Sequence, residues 1–397
     1  MPRMLNPITL RVAAVLSVGI VLSPGISSVG WGQLDYEGEP IHYASAPVND
    51  PIALLQKKLD KGEFNLRYDN EHGYLPSVLE ALDVTPASQV LVFSKTSFQR
   101  SRISPRRPRA LYFSDDVYLG WVQRGDVIEV SSVDPQQGAV FYTLDQRAVD
   151  RPQFTRQTDE CLLCHGSSHT GGVPGHFVRS VFPDRSGMPL LSAGTYRTDY
   201  TSPIKERWGG WYVTGKHGEQ RHMGNVTVAD KNNPEQLDTE AGANIVDLSE
   251  RVDVEPYLSQ ESDIVALVVL EHQVAMHNRI TSANYRGRFA HRDAKIMNEA
   301  LGRPADYESE STQQRFATAA EKVLDCLLLV GEQTLTDPIQ GTSKFAEQFQ
   351  GRGPFDQQGR SLRHLDLNRR LFKYPCSYLI YSAAFDGLPE RIRDRLY

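Results

Sequence analysis

Cysteine is scarce in this chain. Four residues in 397 cannot build a disulfide scaffold, so a fold of this length has to rest on a packed apolar core, and 40% hydrophobic content supplies one. Excess positive charge is missing too: 43 Lys and Arg against 49 Asp and Glu leave −6, which excludes a protein that holds nucleic acid on a broadly basic surface. Nowhere do the ~20 apolar residues of an ordinary membrane span run together. The chain also lacks an internal repeat, a phosphate-cradling glycine loop, a nucleophile–base triad and a paired-carboxylate pattern, which removes the commoner hydrolase and nucleotide-enzyme readings.

What is there begins with an address. Arg3 and Arg11 lead into an apolar run from Val12 to Leu22, closed by Pro24, Gly25 and a Gly/Ser stretch ending near Gln33. This layout predicts a secretory signal peptide at 1–33, and no cysteine beside the cut offers a lipid anchor. Its removal takes away two arginines and no acid, leaving a mature charge of −8. The expectation is an exported protein, periplasmic in a bacterium, without an integral span after signal removal.

The remainder reads as α+β, with a small antiparallel sheet, a loop-rich centre and a helical C-terminal third. In the region 34–150, DPIALLQKKL and YLPSVLEAL predict short helices, and VLVFS, ALYF, VYLGWV, DVIEVSSV and AVFYTL predict strands between Asp, Gly, Pro and Ser turns. Lys95 to Arg109 carries six positive charges and no negative one, a solvated loop or a docking patch for an acidic partner. Region 151–230 is rich in Gly, Arg, aromatics and His, with hairpins expected at HFVRSVFPDRSGMPLLSAG and GWYVTGKHGEQRHMGNVTV. From 231 to 263, nine acids against two bases predict an extended acidic linker. Region 264–397 should be helical, with SDIVALVVLEHQVAMHNRITSANY, EKVLDCLLLVGEQ, and LNRRLF with PCSYLIYSAAF as its pieces.

One motif carries chemistry. Residues 161–165 read Cys-Leu-Leu-Cys-His, and on a helical turn the first, fourth and fifth positions share a face, so two thiols and an imidazole converge on one ligand. A zinc site would want a second pair of ligands at finger-like spacing, and Cys326 and Cys376 lie far away in sequence. A redox dithiol would want a βαβ setting that the surrounding texture lacks. C-x-x-C-H is the attachment pattern of haem c, and here the chain resembles the c-type cytochromes. That resemblance implies one covalent haem c, with Cys161 and Cys164 as thioether donors and His165 as the proximal iron ligand. It makes 151–230 the haem-binding region. The likeness is to large, exported, single-haem bacterial proteins rather than to the compact shuttle, for which this chain carries too much protein and the wrong texture.

Function then turns on the far side of the haem, where a Met or His makes an electron-transfer centre and an open face permits chemistry on oxygen, peroxide or nitrogen oxides. Met223 follows His165 by 58 residues and adjoins His222; on a strand the two would point to opposite faces. His217 sits in the turn of the same expected hairpin, His169 and His176 lie closer to the motif, and Met188 follows an Asp-Arg-Ser-Gly turn. On the long C-terminal helix, His272 and Met276 share a face, whereas His272 and His277 diverge and cannot readily grip one metal. Arg179, Arg185 and Arg197 suit haem propionates, and Trp208, Trp211 and Tyr212 suit a haem wall or a core. Cys326 and Cys376 suit either a bridge or buried free thiols. The leading expectation is electron transfer to a redox partner protein; the alternatives are a haem enzyme with an open iron and a haem-bearing sensor or interaction module.

Overall fold

The buried carboxylate of Asp50 accepts the N–H groups of Ile52 and Ala53 at 3.0 and 3.3 Å, and Pro51 follows it, so helix α1 (Pro51–Asp60) begins there. The computed structural model describes residues 35–397; the expected signal peptide lies outside them. Helix α2 (Leu75–Ala81) follows, and both helices lie on a six-stranded antiparallel sheet whose strands pair in chain order. These are β1 (Val90–Val92), β2 (Arg109–Phe113), β3 (Val117–Trp121), β4 (Val127–Asp134), β5 (Gly138–Asp145) and β6 (Phe154–Gln157). Strand alternation assigns the faces. Tyr112, Leu119, Val130 and Tyr142 pack with the apolar side of α1 and α2, while Phe113, Val133, Ala139 and Phe141 look the other way.

That second face receives a long helix, α4 (Ile264–Ala300), and the short helix α3 (Leu162–His165). Asp263 caps α4 by accepting from Val265 and Ala266, and its other oxygen accepts from Thr342 and Ser343 at 2.8 and 2.7 Å. Every residue from Ile264 to Val274 is buried, which is why this stretch reads as apolar all round instead of striped. Helix α5 (Glu310–Leu327) packs along it. The architecture is α+β, with the helices gathered in the C-terminal part. Among the described residues no helix is long and apolar enough to cross a membrane.

Four expectations change. The first predicted hairpin exists, but β7 (Val178–Val181) pairs with β8 (Thr195–Thr198), just beyond the stretch singled out. The second, at GWYVTGKHGEQRHMGNVTV, does not form. Gly210 and Gly215 take φ of 87° and 152°, and the backbone bonds go to distant segments: Tyr212 N–H to Leu91, Thr214 N–H to Ser262 and Lys216 N–H to Gln340. The strand argument separating His222 from Met223 falls with it. The segment 231–263 contains no helix or strand, but it is no free linker. Leu248, Val252 and Tyr257 are buried in the core beneath α1 and α2, and the guanidinium of Arg251 donates to the carbonyls of Asn225 and Ala241. Apolar burial fastens it despite its charge, and the described residues belong to one compact unit. LNRRLF is also not helical, since Leu367 takes φ of 56°; the closing elements are a 3-10 turn at Tyr378–Tyr381 and short helices at Ala383–Asp386 and Glu390–Leu396.

Candidate functional site

The motif occupies a single helical turn. Cys161 caps α3, its carbonyl accepting the N–H groups of Cys164 and His165 at 3.3 and 2.9 Å. At ~100° per residue, Cys161, Cys164 and His165 fall on one side and Leu162, Leu163 and Gly166 on the other. Leu162 is the anchor, buried with Tyr36, Ile41, Tyr43 and Phe141. The reverse side borders an open groove of about 700 Å³ walled by Leu162, Leu163 and the acids Asp35, Glu37, Asp159 and Glu160. After the turn, Ser167 Oγ donates to the Cys164 carbonyl at 2.8 Å, and Arg197 reaches across from β8 to the carbonyl of His169 at 2.9 Å. The chain leaving the motif is therefore held from two directions.

His165 is oriented by its own loop. Its Nδ1 lies 2.9 Å from the carbonyl oxygen of Gly175, and since a carbonyl only accepts, Nδ1 carries the proton. Nε2 is left with its lone pair and no hydrogen bond among the described residues. Phe141, Phe177 and His176 surround the ring, with centroids 4.9, 5.3 and 6.3 Å away. Burial lowers the pKa of His165, the Gly175 bond opposing, which keeps the imidazole neutral.

The thiols differ. Cys164 is exposed and Cys161 half-buried, and both are free. Burial pushes the Cys161 thiol up to about 11, with the Glu129 carboxylate adding to it. A dithiol that attacks disulfides needs the opposite, a thiol acidified by nearby positive charge or a helix N-terminus. Arg109 stands near enough to pull the other way, but its guanidinium is paired with Glu129 at 2.7 Å. Among the described residues no three His, Cys, Asp or Glu side chains gather into a cation cage.

The structure distributes the remaining candidates widely. His176 is the one proposed far-side ligand whose ring stands against His165, yet it follows directly on the carbonyl that binds Nδ1, and its own Nε2 meets Ser131 Oγ at 2.6 Å. The two rings meet edge to face, at an interplanar angle of 69°. His169 is exposed and stacks on Phe177 at 5.4 Å. His217 and His222 pack on each other with centroids 4.7 Å apart; the first accepts the Asn244 N–H and the second the Gly224 N–H. Met223 sits with Phe182 and Val228, its sulfur accepting from Ser180 Oγ at 3.6 Å. Met188 is exposed.

On α4, His272 bonds Ser377 and His277 bonds Tyr118, so the two do diverge, and Met276 is core. Arg185 is exposed, and Arg179 is half-buried with Nε lacking a protein partner. Trp208 packs on His222, Trp211 donates to the Arg179 carbonyl and Tyr212 to that of Pro105, so these aromatics build core. Cys326 and Cys376 are free thiols. Sequence reasoning missed Gly175, Phe141 and the Arg109–Glu129 pair. Arg109 alone had a signal, as the end of the basic stretch.

Fold and site together define an α+β protein with two free thiols and a neutral, carbonyl-oriented imidazole on one helical turn. No family model matches the chain, and neither a curated protein nor a solved structure matches it.

Proposed function

We propose that this chain is an exported mono-haem c protein that transfers electrons, with Cys161 and Cys164 holding haem through thioethers and His165 as its iron ligand. The observation that carries the reading is the bond from His165 Nδ1 to Gly175, which leaves a neutral ring with its lone pair at Nε2, on the same turn as two unbridged thiols. This donor set fits haem c and fits a redox dithiol poorly, given the raised Cys161 thiol. Bound haem supplies a one-electron iron couple. The chain's own part is to orient His165, to place Phe141 and Phe177 beside it, and to keep the Arg109–Glu129 pair near the cysteines, where burial and fixed charge tune the couple. A redox partner protein follows from this role.

A second reading, a haem enzyme with an open iron, draws support from one specific observation. Met223, His217, His222 and His176 are each held in other contacts. The absorption spectrum of protein made in a host competent for haem attachment decides between them. Electron transfer predicts a low-spin, six-coordinate spectrum that one of the substitutions Met223→Ala, His222→Ala, His217→Ala or His176→Ala abolishes. High-spin ferric haem that binds small ligands quickly supports the enzyme instead. A colourless product, or colour that acid-acetone extracts, overturns both.

A further inference from the structure

Asn278 of α4 is more than a hundred residues from the motif, yet it grips the loop that orients His165. Its Oδ1 accepts the backbone N–H of His176 at 3.0 Å, and its Nδ2 donates to the carbonyl of the same residue at 2.6 Å. An amide that satisfies both backbone groups of one residue fixes the peptide planes on either side of it. The plane on the N-terminal side is the Gly175–His176 peptide, whose oxygen receives the Nδ1 proton of His165. A Cβ on Gly175 would stand 2.2 Å from Asn278 Oδ1, so glycine is what permits this approach. The His176 side chain secures the same loop to β4 through Ser131. The His165 carbonyl joins in by accepting the Gly175 N–H at 2.8 Å, closing a ring of contacts around the imidazole's back edge.

We infer that Asn278 is a positioning residue for His165. By holding the Gly175 carbonyl in place it keeps the imidazole in the Nδ1–H form and sets the electron density at Nε2. A proximal imidazole that donates to a fixed acceptor is a stronger base, and the partner supplying that acceptor tunes whatever metal the ring binds. The first test needs no haem, and only the second rests on the function proposed above.

In the full chain made without haem attachment and labelled with ¹⁵N-histidine, His165→Gln assigns the His165 signals. The wild type should show the Nδ1–H pattern and Asn278→Ala should lose it. Asn278→Asp, which keeps an acceptor for the His176 N–H and loses the donor, should show a partial loss and serves if the alanine variant does not fold. Asn284→Ala is the control. Asn284 is another buried amide of α4, and it donates to the carbonyls of Pro135 and Gly387 at 3.3 and 2.8 Å. Its loss should lower stability while leaving the His165 pattern intact. The inference is overturned if Asn278→Ala keeps the wild-type pattern, or if Asn284→Ala loses it equally. In haem-loaded protein, Asn278→Ala should raise the reduction potential, a shift of up to about tenfold in the reduced-to-oxidised ratio, or about 59 mV for one electron. A colourless protein with the tautomer change intact defeats the haem reading alone; a coloured one with no tautomer change defeats this inference alone.

Discussion

Gly175→Ala tests the packing behind His165 with one methyl group. The new Cβ would stand 2.2 Å from Asn278 Oδ1, 3.0 Å from Asn278 Cγ and 3.1 Å from Thr170 Cβ. Side-chain ends usually swing aside, but this one is held by two hydrogen bonds to His176 and has to release both. Losing them costs about 2 kcal/mol at ~1 kcal/mol each. The crowding against Thr170 adds about 1–3 kcal/mol, and the stiffer unfolded chain returns roughly 0.4–1 kcal/mol. The net loss should be about 2–5 kcal/mol, read by urea unfolding of the haem-free chain with tryptophan fluorescence. Once Asn278→Ala has removed those two hydrogen bonds, the same methyl should cost only its crowding against Thr170, giving a coupling of about 2 kcal/mol between the two sites. A Gly175→Ala protein within ~0.5 kcal/mol of wild type, or strictly additive effects, would refute the reasoning.

Arg207 and Glu271 form a buried ion pair at 2.8 Å, with side chains 4% and 0% exposed, so Arg207→Met alone should cost about 3–5 kcal/mol by leaving a buried carboxylate unpaired. The double variant Arg207→Met/Glu271→Leu should cost less than that single change, and a larger loss in urea unfolding speaks against the argument. Burial lowers the pKa of His165, His176, His217, His222, His272 and His277, the last three to about 3, 3 and 4. The unfolded chain therefore takes up protons first as pH falls below 6.5. Asp116, Glu271 and Glu332, raised mainly by burial, act in the opposite sense, but six outweigh three. Stability should decline from pH 6.5 toward 4, by on the order of 1.4 kcal/mol per pH unit for each net proton. A urea midpoint at pH 5 equal to or above that at pH 7 contradicts this. Alkylation of Cys161 by iodoacetamide in the haem-free chain should quicken ~10-fold per unit between pH 8 and 10, as a thiol raised to about 11 requires; a plateau below pH 9 would mean an acidified thiol and revive the redox-dithiol reading.

Local signals carried much of the fold. Alternating β-branched and aromatic runs marked β1 to β5, and Asp50 with Pro51 marked the start of α1, because backbone preference and one-sided burial both act over a few residues. Strand β6 escaped notice because Phe-Thr-Arg-Gln is a short edge segment with a single apolar residue, ordered by pairing with β5. The hairpin expected around His222 failed for the converse reason, since its backbone groups found partners on segments remote in sequence.

For the site, the sequence by itself determined the chemistry at hand: two thiols and an imidazole at one, four and five on a turn, a pattern written in five consecutive letters. Only the tertiary structure decided which imidazole nitrogen carries the proton, that His176 packs edge to face with His165, and which neighbours His217, His222 and Met223 take. Those outcomes depend on a carbonyl ten residues on and an amide on another helix. Hydrogen bonds and burial compare atoms by distance in space, which spacing along the chain does not encode.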